Sequence, residues 1–62
     1  MTETQVQKKL QTLDHEEKNR LLDKALTKGS SSTAFFVERF VRDGNTKAMP
    51  KRVSAEVASL LN

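Results

Sequence analysis

Apolar residues recur along this chain at helical spacing. Val6, Leu10 and Leu13 are four and three residues apart. Leu21, Leu22, Ala25 and Leu26 form a second group, and Ala34, Phe36, Val37, Phe40 and Val41 a third. Val57, Leu60 and Leu61 form the last. Spacings of three and four place each group on one face of a helix, with the polar residues between them facing water. Thr2 or Thr4 can cap a first helix running to about Leu13. Asp14 followed by Glu17 has the form of a capping box, predicting a second helix from His15 to Lys28 that buries Leu21, Leu22, Ala25 and Leu26. One helix from Glu3 to Lys28 is the alternative. At about 100° per residue, however, Leu22 and Leu26 would lie opposite Val6, Leu10 and Leu13. That jump in phase predicts a break near Leu13–Asp14.

Punctuation sets the remaining boundaries. Gly29 can end the second helix, with Lys28 in a last turn that favours cations. One of Ser30, Ser31 and Ser32 opens a third helix that runs to about Asp43 and stops at Gly44–Asn45. "NTKAMPKRV", residues 45–53, reads as a connector, because Pro50 lacks an amide hydrogen and disfavours helix at Met49. Ser54 can cap a short last helix carrying Val57, Leu60 and Leu61. A strand over Ala48–Val53 is the competing reading. The expected fold is all-α, a single domain over residues 1–62 built as a small bundle of three to four short helices. So small a chain buries little surface alone, which makes a homodimer an expectation, with the apolar last helix one place for its interface.

All three phenylalanines fall between Ala34 and Asp43. On a wheel, Ala34, Phe36, Val37, Phe40 and Val41 share one broad side. Phe35, Glu38, Arg39 and Arg42 share the other. Phe36 and Phe40 are therefore expected in the core, and Phe35 on an exposed face among arginines. That face has three readings. Another helix or a second chain covers Phe35; or Arg39 and Arg42 contact nucleic acid, with an apolar group beside them; or an aromatic–arginine patch docks a protein.

Composition and charge change this picture in one respect. The formal net charge is +3, a mild bias. From Met1 to Lys28 there are six Lys/Arg against five Asp/Glu, net +1. From Arg39 to Arg52 there are five Lys/Arg (Arg39, Arg42, Lys47, Lys51 and Arg52) against Asp43 alone, net +4. This concentration moves the balance toward an anionic partner such as double-stranded DNA. The chain has no cysteine, which removes disulfides and thiolate metal sites. It has no apolar run near the ~20 residues of a membrane span. No membrane association, no cofactor and a cytoplasmic location are expected.

"LLDKALTKGSSSTAFFVERFV" reads as helix, glycine turn and helix, and "RDGNTKAMPKRVSAEVASLL" adds a closing helix. Over roughly Leu21 to Leu61 this resembles helix-turn-helix regulators of the phage and plasmid repressor type. Ala25 and Gly29 stand four apart like that family's small residue and turn glycine, and Phe36 and Phe40 take apolar positions. The sequence departs from the pattern at Ser30 and Lys28, where apolar residues are usual. The resemblance implies a sequence-specific DNA-binding transcriptional regulator. Ser30, Ser31, Ser32 and Thr33 would lie at the DNA-facing start of the recognition helix. Phe35, Arg39 and Arg42 would share its exposed face, and Lys47, Lys51 and Arg52 would add phosphate contacts. Glu38 there can accept from a cytosine amine or pair with Arg42. The alternative function is a small adaptor or inhibitor that docks a protein through Phe35 and the adjacent arginines. "AMPKRVSAEVASLL" also resembles the strand and first helix of a ribbon-helix-helix DNA binder.

Other clusters have plainer explanations. Asp14, His15, Glu16 and Glu17 are consecutive in a first helical turn, where acidic residues are favoured; a cap explains them better than a metal. Lys18, Arg20, Lys24 and Lys28 interleave with Glu16, Glu17 and Asp23 as ion pairs on a solvated face would. The serine triplet has no base beside it in sequence, so no enzyme is expected.

Overall fold

The computed structural model describes residues 1–44, 46 and 49–61. Four helices are present among them, in the order α1 (Glu3–Thr12), α2 (His15–Lys28), α3 (Ser31–Asp43) and α4 (Lys51–Leu61). Each of the first three begins where local side-chain chemistry begins it. Thr2 and Gln5 form a reciprocal capping box at α1. Asp14 and Glu17 do the same at α2. The Ser30 hydroxyl accepts from the Thr33 amide at the start of α3. Leu13 and Asp14 are extended, so the predicted break between α1 and α2 is present. Gly44 ends α3 in the left-handed region, φ 73°, where glycine pays no steric cost.

α4 begins earlier than the sequence suggests. Residues Lys51 to Val53 are helical, which overturns the strand reading over that part; Ala48 lies outside the described residues. Pro50 is the reason, since it fixes φ just ahead of a first helical residue and contributes an acceptor carbonyl to the Ser54 amide. Ser54 is therefore not a cap but an interior residue of α4.

The core is assembled around α4. It packs against α1, α2 and α3, while α2 and α3 pack most extensively on each other. α4 turns Val53, Ser54, Val57 and Ala58 inward. These small side chains let three helices approach one axis. Val6 and Leu10 meet them from α1, Leu21 and Ala25 from α2, and Val37 and Phe40 from α3. Gln7 ties the connector down by donating to the Thr46 carbonyl at 3.4 Å. The result is nearly isometric, 23 × 22 × 21 Å.

Three expected core residues, Leu22, Leu26 and Phe36, are not enclosed. Leu26 is 61 % exposed. The buried stripe of α2 is centred on Leu21 and Ala25; Leu22 and Leu26 each lie about 100° round the helix from them, on its flank, where Leu22 is half-buried and Leu26 faces solvent. Phe36 is half-buried at the core margin, whereas Phe40 is enclosed, with the Lys18 ammonium 5.3 Å from its ring centroid. Lys18 is thus a lid on the core as well as a surface charge. The interleaved charges of α2 form a single ion pair among the described residues, Glu16–Arg20 at 3.2 Å.

Ser54 brings a hydroxyl into this core with no hydrogen-bond partner. Burying an unpaired hydroxyl is unfavourable. Ser54→Ala should therefore leave stability unchanged or raise it by about 1 kcal/mol, read as the midpoint of urea unfolding. A loss of about 1 kcal/mol or more would mean that the hydroxyl is bonded in solution.

Candidate functional site

The exposed face of α3 carries Ser31, Ser32, Phe35, Glu38, Arg39 and Arg42. Helix periodicity puts them there: Thr33, Val37 and Phe40 occupy the buried stripe, leaving the opposite side to solvent. Phe35 is 56 % exposed, as its place on the wheel predicts. It is not loose. The Phe35 and Phe36 rings are T-shaped, centroids 5.9 Å apart at 86°, and the Arg39 guanidinium lies 5.8 Å from the Phe35 centroid. The i and i+4 positions of Phe35 and Arg39 bring this cation to the ring, and the half-buried Phe36 gives it an aromatic neighbour. Arg42 is engaged differently, by Glu38 at 3.0 Å one turn earlier.

Thr33 is 1 % exposed and faces the core, so it cannot meet DNA from the start of α3. Its position, four before Val37 and seven before Phe40, places it on the buried stripe. Ser30 is committed to capping. Its hydroxyl binds the Thr33 amide and hydroxyl, and its own amide donates to Glu56 of α4. Ser31 and Ser32 are exposed. Glu56 thus places a carboxylate at the N-terminus of α3, where a phosphate would have to sit. The dipole favours any anion there; here the chain supplies its own.

The Glu56 carboxyl is held below its ordinary value of 4.5 chiefly by the Ser30 amide, against a smaller upward push from burial, with the Thr33 and Ser30 hydroxyls and Arg52 also lowering it. The sign of the linkage follows. The native state binds this proton less tightly than the unfolded chain. Its stabilisation is complete above the ordinary carboxyl value and is lost as pH falls through the lowered native one. Wild type should therefore exceed Glu56→Gln in stability at neutral pH, and the gap should shrink on acidification. Urea midpoints measured at neutral and acidic pH check this; a gap that does not change with pH would exclude the charged cap.

The same carboxylate explains Gly29. Its φ of −90° is ordinary, so no left-handed turn demands glycine. A Cβ there would lie 2.9 Å from both the Ala25 carbonyl oxygen and a Glu56 carboxylate oxygen. Close approach, not backbone conformation, selects this residue.

The basic residues are dispersed. Arg39 and Arg42 stand on α3. Arg52 is close enough to Glu56 to lower its pKa, near the start of α3. Lys51 lines a different cleft with Met1, Thr2, Glu3 and Ala55, beside the start of α1. Lys47 lies outside the described residues. Lys51 and Arg52 occupy the first turn of α4, which has no acidic residue; cations oppose the dipole there. Sequence reasoning missed Glu56 because its role depends on a contact spanning 26 residues. His15 is exposed in the first turn of α2, beside the Asp14 cap. No described helix is long and apolar enough to cross a membrane. No protein-family model, curated protein or solved structure matches the chain.

Proposed function

We propose that this protein is a small protein-docking module, an adaptor or inhibitor, whose working face is α3 with Phe35 at its centre. The observation that carries this reading is an exposed phenylalanine in contact with both the Phe36 ring, packed T-shaped against it, and the Arg39 guanidinium. Aromatic and arginine side chains dominate binding hot spots, and an anchor already fixed in place loses less conformational freedom on docking. The matching surface is an apolar pocket with a carboxylate at its rim to receive Arg39. A second copy of the chain is one candidate partner, which sedimentation at high concentration tests directly.

Duplex DNA is the second reading, favoured by Lys51 and Arg52 at the start of α4 and by the net charge of residues 39–52. A buried Thr33, a Glu38-bound Arg42 and the Glu56 carboxylate at the start of α3 all weigh against it. Copurification from the native host with wild type and Phe35→Ala, followed by titration of the purified partner, tests the first reading. Phe35→Ala should weaken that binding at least about tenfold, or 1.4 kcal/mol, and Lys51→Ala should not. A parallel titration of duplex DNA at two salt concentrations tests the second. Salt-dependent DNA binding whose slope falls when Arg39 and Arg52 are replaced would reinstate the regulator and overturn the docking module.

A further inference from the structure

A second surface lies away from α3. Between α1, α2 and α4 is an open cleft of about 240 Å³. Leu13, Leu21, Leu60 and Leu61 form its apolar lining. Lys9, Arg20 and Lys24 stand around it, and the single carboxylate among the lining side chains, Glu17, accepts from the Asp14 amide in the α2 capping box. α3 contributes nothing to it.

From this arrangement we infer a binding site for an acidic peptide segment that inserts one apolar side chain among the leucines and sets flanking carboxylates against the three cations. Size argues for such an occupant. Sites that enclose drug-sized ligands or cofactors run ~300–1,000 Å³, and this cleft is smaller and open. Charge argues the same way. Arg20 is held only by an exposed pair with Glu16, both side chains more than two-thirds exposed. Pairs of that kind are weak and exchange readily for another carboxylate. Lys24 reaches the Leu60 carbonyl at a long 3.4 Å, which keeps its ammonium beside the end of α4 and over the cleft. Leu60 and Leu61 are only half-buried, so apolar surface is available beneath those charges. The site is independent of the Phe35 face, and together the two would let one small chain bridge two proteins.

The test is a titration of the methyl-labelled 62-residue chain with a short capped peptide of glutamate and leucine, against the same peptide with lysine for glutamate. The acidic peptide should shift the methyl resonances of Leu13, Leu21, Leu60 and Leu61 saturably, and its binding should weaken as salt rises. Arg20→Glu combined with Lys24→Glu should reduce affinity at least about tenfold. Arg20→Gln with Lys24→Gln should reduce it in the same direction if the reversed charges disturb folding. Lys8→Gln, which removes a cation from α1 outside the cleft, should leave it unchanged. Shifts centred on other methyls, equal binding of the lysine peptide, or no saturable binding at millimolar peptide would each overturn the inference.

Discussion

Phe40→Ala should remove most of the free energy that keeps this chain folded. The ring is 2 % exposed and is among the largest fully buried side chains. Truncating a buried phenylalanine costs about 3–5 kcal/mol, from lost transfer free energy and from the cavity left behind. A domain of this length has a total stability of roughly 3–9 kcal/mol, at roughly 0.05–0.15 kcal/mol per residue. The substitution also leaves the Lys18 ammonium over an empty site in place of a ring face. Thermal or urea unfolding followed by circular dichroism should show a collapsed or very early transition. Phe35→Ala should stay within about 0.5 kcal/mol of wild type, as exposed positions do, and Phe36→Ala should fall between them. If Phe35→Ala is as damaging as Phe40→Ala, the assignment of inner and outer faces on α3 is wrong.

Gly29→Ala should also destabilise the fold, by about 1–3 kcal/mol, the range for forcing an extra carbon into filled space. Two atoms oppose the new methyl. The Ala25 carbonyl belongs to the last turn of α2 and cannot retreat without disturbing that helix. The Glu56 carboxylate is the end of a flexible side chain, but moving it breaks the bond from the Ser30 amide. Both routes damage the α2–α3 junction. A double-mutant cycle with Glu56→Ala divides the cost, because residues that share a contact do not add. The double variant should be more stable than the sum of the single changes predicts. Simple additivity, or a Gly29→Ala protein as stable as wild type, would remove close packing as the reason for the glycine.

Helix boundaries were legible because the chemistry that sets them is local. Asp14 and Glu17, Ser30 and Thr33, and Gly44 act within one turn of their own position, so a reader of the chain meets cause and effect together. The α3 face was legible too, because period alone separates Phe35 from Phe40. What escaped were polar residues on buried stripes. Thr33 and Ser54 keep the helical register of Val37 and Val57, and that register marks them as inward-facing once hydroxyls are admitted to the pattern. A serine or threonine hydroxyl suggests a cap or a phosphate contact by chemical type, but at Ser54 and Thr33 the place on the wheel decides instead, and both face the core. Leu26 shows the opposite limit: Ala25 beside it is fully buried, yet Leu26 lies about 100° away on the wheel, outside the buried stripe, so apolar type alone does not put a side chain in the core. Glu56 had no local signal. Neither did the leucine cleft, whose lining is drawn from α1, α2 and α4.

The bond from Ser30 to Glu56 also bears on how the chain comes apart. α2, its turn and α3 are contiguous and pack most extensively on each other, so they look like a hairpin able to stand alone. Yet the turn amide is satisfied from α4, and α4 is also where α1 rests. Neither half of the molecule is complete without the other. Release of α4 would strip the acceptor from the Ser30 amide at the α2–α3 turn and the cover from α1 in one event, leaving no smaller folded remnant. Opening should therefore be all-or-none, with hydrogen exchange in the interior of all four helices reporting one common free energy rather than a graded series.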